Sequence, residues 1–237
     1  MKVQRVKTVV FCGGKGSRMG RLSEHLPKPL ALVGKKPVLW HLMKFYAAQG
    51  FDDFILCLGF KGNKIRDYFQ QCPEPGWSIK FLNTGVHSSK SERLMKAKPF
   101  LKGDFFLAYA DDLSDIDLKA LLKFHKKKGK VLTTTGLQEV SPFGIIDVNR
   151  KGEVIRFREK PILEHLVNIG FMAVSEKIFD YLSFGDLEHE VFQELVKRRQ
   201  LAVFNHSGSW INMNTLRQNM ELNELWDEGK AFWKVWK

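Results

Sequence analysis

Apolar residues gather along the chain in short runs separated by polar, helix-spaced stretches. TVVFCG (8 to 13), DFILCLGF (53 to 60), SIKFLN (78 to 83), DFFLAYA (104 to 110) and VLTTTGL (131 to 137) have the length and the β-branched and aromatic content of strands. Between them, 37 to 49 (PVLWHLMKFYAAQ), 63 to 71 and 115 to 127 carry apolar positions at helical spacing. Pro37 suits a first turn and Gly50 a stop, while the third helix opens on acidic residues. Strands alternating with helices predict an α/β domain around a mostly parallel sheet.

Beyond about residue 140 the pattern shortens. FGIIDVN, GEVIRFREK and VNIGFMAV predict strands, helices follow near 175 to 183 and 187 to 199, and a last strand near LAVFNH precedes a Trp-rich helical tail. No linker rich in Pro, Ser or Gly divides the chain, which predicts a single domain over 1 to 237. Its first part, to about 140, would form a nucleotide-binding half, and the rest the other wall of a cleft.

With 237 residues, 44% hydrophobic and 27% charged, the chain can bury a sizeable core and lacks the composition of a disordered segment. The start has no secretory pattern and no apolar run reaches the ~18 residues of a membrane span, so the cytoplasm is the expected compartment. Cys12, Cys57 and Cys72 show no metal-binding or disulfide spacing and read as reduced thiols. The net charge of +12 could serve nucleic acid, a membrane surface or a phosphorylated substrate. Its one dense run, His125 to Lys130, reads as the solvated end of a helix, where cations offset the helix dipole. No basic stripe is interleaved with aromatics, so no nucleic-acid partner and no membrane partner are expected.

The segment VVFCGGKGSRMG places Gly13, Gly14 and Gly16 where a strand hands over to the next element. Bare backbone there lets N–H groups approach phosphate closely. A dinucleotide fingerprint would need glycine where Met19 stands, and no GxxxxGK[ST] is present. What remains is GGxGxR followed by PKP: Arg18 offers a fork of donors, and Lys28, held between Pro27 and Pro29, a compact charge. These would cradle a triphosphate; the plainer alternative is a glycine turn and a surface lysine.

FCGGKGSR, LPKPLALVGKKPVLWHLMKFY, LAYADDLSD, FGIIDV, FREKP and WINMNTLRQNMELNELWDEGKAFWKVWK together resemble the sugar-phosphate nucleotidyltransferase family, and within it the glucose-1-phosphate cytidylyltransferase branch. The resemblance implies a Rossmann-like three-layer fold with a central mixed, mostly parallel sheet. It implies a Mg²⁺-dependent enzyme that transfers CMP from CTP to a sugar 1-phosphate, glucose 1-phosphate being expected, and releases pyrophosphate for nucleotide-sugar and polysaccharide biosynthesis. By the same resemblance Gly13, Gly14, Gly16, Ser17 and Arg18 would wrap the triphosphate, and Arg18, Lys28 and Asp111 would be catalytic. Arg93 would help to read the base, Asp111 and Asn214 would hold the metal, and Glu159, Lys160, Asn168 and Gly170 would bind the acceptor. Expected partners are CTP and a phosphorylated small-molecule acceptor, with a homo-oligomer left open. Two bland alternatives stand beside these: an acidic cluster after a strand can be a helix cap, with Asp115 in that role, and an exposed Glu–Lys pair is often only solvated.

The chain departs from the family pattern in several places. Asn214 stands where the family has a second metal carboxylate, keeping an oxygen ligand and losing its charge. Lys90, Ser91 and Glu92 replace the Thr-Gly-Gly of the base-reading loop, and Asp112 replaces a glycine. The connection from Tyr68 to Ser78 is also much shorter than in the glucose-1-phosphate enzymes. These keep two further readings open, a cytidylyltransferase for a non-sugar phosphate or phosphonate, and a catalytically weakened nucleotide-sugar-binding paralogue. The tryptophans Trp40, Trp210, Trp226, Trp233 and Trp236 read as packing residues, and His41 and His125 as helix-face residues.

Overall fold

The computed structural model describes residues 5–14, 26–183 and 185–236. Its frame is a seven-stranded sheet built from β1 (Thr8–Cys12), β4 (Asp53–Leu58), β5 (Ser78–Asn83), β6 (Phe105–Tyr109), β8 (Leu132–Val140), β11 (Ile162–Val174) and β12 (Leu201–His206). The smaller strands β2 (Leu32–Val33), β3 (Lys36–Pro37), β7 (Asp112–Ser114), β9 (Ile145–Val148), β10 (Val154–Arg158) and β13 (Trp210–Asn212) form three separate two-stranded pairs. The strand order is β12-β8-β11-β6-β1-β4-β5. β11 runs antiparallel to both neighbours, and the other six strands are parallel. The sheet is therefore mixed and mostly parallel, as expected.

Among the described residues six α-helices accompany it: α1 (Val38–Ala48), α2 (Gly62–Gln71), α3 (Lys90–Ala97), α4 (Leu118–Lys128), α5 (Phe192–Lys197) and α6 (Leu216–Asp227). Both sheet faces are covered, which explains why the central strands read as unbroken apolar runs. Along β1, Val10 and Cys12 enter one core with Leu39, Phe45 and Trp233, whereas Val9 and Phe11 enter the other with Leu94 and Leu195. The result is three layers, helices on each side of one sheet. Among the described residues no helix is long and apolar enough to cross a membrane.

Local chemistry sets the helix ends. Pro37 stays extended, paired with Leu32, and α1 starts one residue later. Gly50, at φ +95°, stops it with its N–H donating to the Ala47 carbonyl at 2.9 Å. The cap of α4 is Asp117, which accepts from the Ala120 N–H at 2.9 Å. That corrects the expectation for Asp115, whose carboxylate instead receives the Ser209 N–H at 2.8 Å and meets His206 Nε2 at 2.9 Å. Lys126, Lys127 and Lys128 of the dense basic run form the last turn of α4 before Gly129 at φ +60°.

The tail differs from a continuous helix. It is helical only to Asp227, after which Trp233 and Trp236 fold back onto α1. There they enclose His41, which is buried and not a surface helix-face residue. The Trp233 indole N–H donates to His41 Nδ1 at 3.3 Å, leaving Nε2–H to donate to the Val33 carbonyl at 2.9 Å. Burial, with the Lys36 charge nearby, lowers the His41 pKa to about 4. His125 is likewise buried, its Nδ1 2.9 Å from Thr133 Oγ1.

Candidate active site

Parallel strands deliver their carboxyl ends to one edge of the sheet, and ligands of open α/β folds bind there. Here that edge opens into a cleft of about 580 Å³ lined by Gly13, Gly14, Lys28, Arg93, Asp111 and Asn214 among others. Gly13 and Gly14 follow β1, and Asp111 follows β6. Lys28 starts a 3-10 turn, Lys28–Leu30, whose entry is set by the extended backbone of Pro27. Asn214 follows β13, which pairs with β7 and so lies beside the end of β6. Gly16, Ser17 and Arg18 fall outside the described residues.

Three residues separated by up to 186 positions meet at the floor of this cleft. The Lys28 ammonium contacts the Asp111 carboxylate and donates to Asn214 Oδ1 at 2.7 Å. The Met213 N–H, donating to the Asp111 carbonyl at 2.9 Å, ties the two chain segments together. Both side chains of the ion pair are mostly buried, where a charge interaction is stronger than at the surface. The sequence-predicted lysine, carboxylate and amide are thus brought to one point. Among the described residues no group of three or more His, Cys, Asp and Glu is gathered as a metal cage.

Asp112, which stands where the family has glycine, is bonded away from this point. It receives the Asn212 side-chain N–H at 2.6 Å and the Trp210 indole N–H at 3.3 Å. Burial first, and then the charge of Asp111, push its pKa well above the usual carboxylate range. Gly170, at φ +80°, lets β11 pass this carboxylate: a Cβ there would lie 2.7 Å from Asp112 Oδ2 and 2.6 Å from the Tyr109 ring. Gly170 and Asn168 line a second cavity of about 490 Å³ that shares Tyr109, Glu188, Asn212 and Asn214 with the first. Asn168 Oδ1 accepts from Thr134 Oγ1 at 2.6 Å and from the Gly170 N–H at 3.1 Å.

Glu159 and Lys160 are not brought to this place. They are exposed on the turn between β10 and β11, Lys160 at φ +44°, and line neither cavity.

Arg93 borders the cleft, but its guanidinium is committed to the protein. It donates to the Leu58 carbonyl at 3.3 Å, Thr84 Oγ1 at 2.5 Å, the Gly13 carbonyl at 3.3 Å and the Val86 carbonyl at 3.4 Å. One buried side chain therefore laces together the ends of β1, β4 and β5. A Cβ on Gly13 would lie 1.9 Å from that guanidinium, which gives this glycine a packing role before any contact with phosphate. Burial lowers the pKa of Arg93 from its usual value.

The segment expected to be a base-reading loop is the start of α3. Ser89 Oγ accepts the Glu92 N–H at 3.2 Å and Glu92 accepts the Ser89 N–H at 2.7 Å. This is a capping box, and its S-x-x-E signature at 89 to 92 was available in the sequence. Lys90 consequently projects over the cleft, bound to Glu188 at 2.6 Å and Asp186 at 3.2 Å. Tyr109 donates its hydroxyl proton to Glu188, and burial followed by Glu188 raises the Tyr109 pKa well above 10.0. Burial opposes the charge on Asp186, yet hydrogen bonding from Glu188 and the Lys90 ammonium hold it at about 2. No sequence signal links these four residues, because 96 and 98 positions separate Lys90 from its acids.

Cys12 also lines the cleft, but burial raises its thiol pKa well above 9.0, so it is no nucleophile at neutral pH. The short connection after α2 is anchored by Glu74, which receives the Trp40 indole N–H at 2.6 Å and meets Lys36 and Lys44.

Comparison with known proteins agrees with this architecture. The nucleotidyl transferase family model matches residues 7–229. A protein of Bacillus subtilis (strain 168) named "Probable glucose-1-phosphate cytidylyltransferase" is 38% identical, over 98% of this chain and 100% of that protein. The glucose-1-phosphate cytidylyltransferase of Salmonella typhimurium is 34% identical over the same shares. In fold, the chain is similar to a UDP-glucose pyrophosphorylase complexed with UDP-glucose, at a TM-score of 0.73 and 16% identity, covering 95% of this chain and all of that one. It is also similar to HddC from Yersinia pseudotuberculosis, at a TM-score of 0.72 and 20% identity, over 93% of this chain and 99% of that one. The family match over most of the length and relatives above 30% identity lead to one conclusion: the chain belongs to the nucleotidyl transferase family.

Proposed function

We propose that this protein transfers CMP from CTP to glucose 1-phosphate, giving CDP-glucose and pyrophosphate. The observation that carries the reading is the meeting of Lys28, Asp111 and Asn214 at the floor of a cleft entered by the Gly13–Gly14 backbone. The choice of nucleotide and acceptor follows the two cytidylyltransferase relatives.

The chemistry asks little covalent work of the protein. An oxygen of the acceptor phosphate forms a bond to the α-phosphorus of CTP, the bond to the β-phosphate oxygen breaks, and pyrophosphate leaves with the electron pair. Catalysis then rests on holding two anions together and offsetting their charge. The Lys28 ammonium does this at the reacting phosphate, released from Asp111 as substrate oxygens arrive. The second cavity, lined by the amides Asn168, Asn212 and Gln218 beside Asp112, Glu139 and Glu188, offers hydrogen-bond donors and acceptors to the hydroxyls of the acceptor.

Mg²⁺ fits the residues present. The Asp111 carboxylate and the Asn214 amide oxygen are hard donors that both reach one cation, the Lys28 ammonium, and Mg²⁺ commonly takes one or two protein oxygens with the rest from water and phosphate. When bound, the ion would supply positive charge to the phosphate oxygens of both substrates. With asparagine at 214 the protein contributes one carboxylate at this point. A weakened, nucleotide-sugar-binding paralogue is the second reading, favoured by that one residue.

The test is pyrophosphate release from the full chain with Mg²⁺ and glucose 1-phosphate, offered CTP, UTP, dTTP, ATP or GTP in turn. Release with CTP above the rest supports the proposal. A preference for another nucleotide overturns the base assignment, and CTP binding without release selects the paralogue.

A further inference from the structure

The second cavity opens beside Lys28, because Asn214, which accepts from that ammonium, lines this cavity as well as the cleft. Among the described residues no lysine or arginine lines it, whereas Asp112, Glu139 and Glu188 do. The anionic end of a sugar 1-phosphate therefore belongs at Lys28, and its uncharged hydroxyls belong in this cavity. Asp112 stands at the cavity wall with its carboxyl fixed from behind. The Asn212 amide and the Trp210 indole both donate to Oδ1, at 2.6 Å and 3.3 Å. The other oxygen, Oδ2, lies over Gly170, so near that a Cβ there would stand 2.7 Å from it, and Gly170 itself lines the cavity. A glycine at 112 would leave that volume open and without a polar atom. Glu188, by contrast, is engaged by Tyr109 and Lys90.

We propose that Asp112 determines which acceptor this protein takes, its Oδ2 bonding one hydroxyl of the acceptor's sugar. This role rests on the transfer proposed above and carries it from the phosphates to the sugar. A hydroxyl suits Oδ2 in either protonation state, since it donates to a carboxylate and accepts from a carboxylic acid. Two donors already hold the carboxyl in place, so little ordering remains to be done when the sugar arrives. An analogue without that hydroxyl leaves a buried oxygen unpaired, and sites of this kind reject such analogues strongly.

Titration calorimetry of the full chain with glucose 1-phosphate and with its 2-, 3-, 4- and 6-deoxy analogues, in saturating α,β-methylene-CTP and Mg²⁺, tests this without turnover. The wild type is expected to bind one of the four analogues at least ~10-fold more weakly than glucose 1-phosphate through loss of the Asp112 bond. In Asp112→Gly that penalty alone should shrink to within about twofold, with the affinity for the CTP analogue unchanged. Asp112→Asn keeps an oxygen for Asn212 and Trp210 and a polar atom towards Gly170, so it should retain the penalty. Circular dichroism checks that each variant is folded, and Asp112→Ala carries the comparison if Asp112→Gly is not. A wild type that does not bind glucose 1-phosphate or binds all five sugars alike, or a folded Asp112→Gly that keeps every penalty, overturns the proposal. The expected binding pattern without pyrophosphate release from CTP and glucose 1-phosphate would overturn only the transfer, and leave the role of Asp112 standing.

Discussion

Two arginines mark the two sides of this molecule. Arg93, 5% exposed, uses its guanidinium on three backbone carbonyls and a threonine hydroxyl, fixing the strand ends that form one wall of the cleft. Arg158, on the β9–β10 pair, reaches Asp147 and Glu164 across a surface where the latter is 82% exposed. The first arginine does the work of a tie, because its guanidinium bonds four oxygens on three separate chain segments. The second, 27% exposed, pairs with acids that are 41% and 82% exposed, where water and salt compete for the contact. The cleft wall is therefore held together within the fold, whereas the β9–β10 pair is held by contacts that water can reach.

That contrast can be broken at its strong end first. Arg93→Met should destabilise the chain by roughly 3 kcal/mol, since several buried acceptors lose a charged donor. Arg158→Met should cost less than about 1 kcal/mol. Urea unfolding of the two variants compares them directly, and similar midpoints would remove the distinction.

The buried side should also respond to pH through His41. Its folded pKa of about 4 lies below the 6.5 of the free side chain, so the unfolded state binds the proton first and stability falls as pH drops from 6.5 towards 4. Between pH 6.5 and pH 5 the loss should be about 2 kcal/mol. In His41→Phe that part of the slope should flatten, and a slope unchanged by the substitution would show that other groups set it. A smaller effect is expected where the cleft meets α3: Ser89→Ala removes one half of the capping box and should cost about 1 kcal/mol in thermal or urea unfolding.

The sequence carried the sheet well because strands buried on both faces leave unbroken apolar runs, as TVVFC does for Val9 and Val10 alike. It carried Lys28 through its place between two prolines but Asp111 and Asn214 only through family resemblance, since nothing local announces that residues so far apart meet. Helix α3 was legible in its capping box and was hidden by the expectation of a loop. Arg93 shows a different limit. A resemblance can identify an arginine near the base, but only packing reveals that its donors are spent on Gly13, Leu58, Thr84 and Val86. Lys90, Asp186 and Glu188 left no trace in spacing, because an ion pair across the cleft needs no sequence period.

The central claim is that Lys28 acts at the reacting phosphate from its place between Asp111 and Asn214. Steady-state pyrophosphate release by wild type and Lys28→Ala, with CTP, glucose 1-phosphate and Mg²⁺, tests it most directly when thermal unfolding is recorded alongside. The account predicts at least a ~100-fold fall in kcat with a melting temperature close to that of the wild type. Turnover in Lys28→Ala equal to that of the wild type would contradict it.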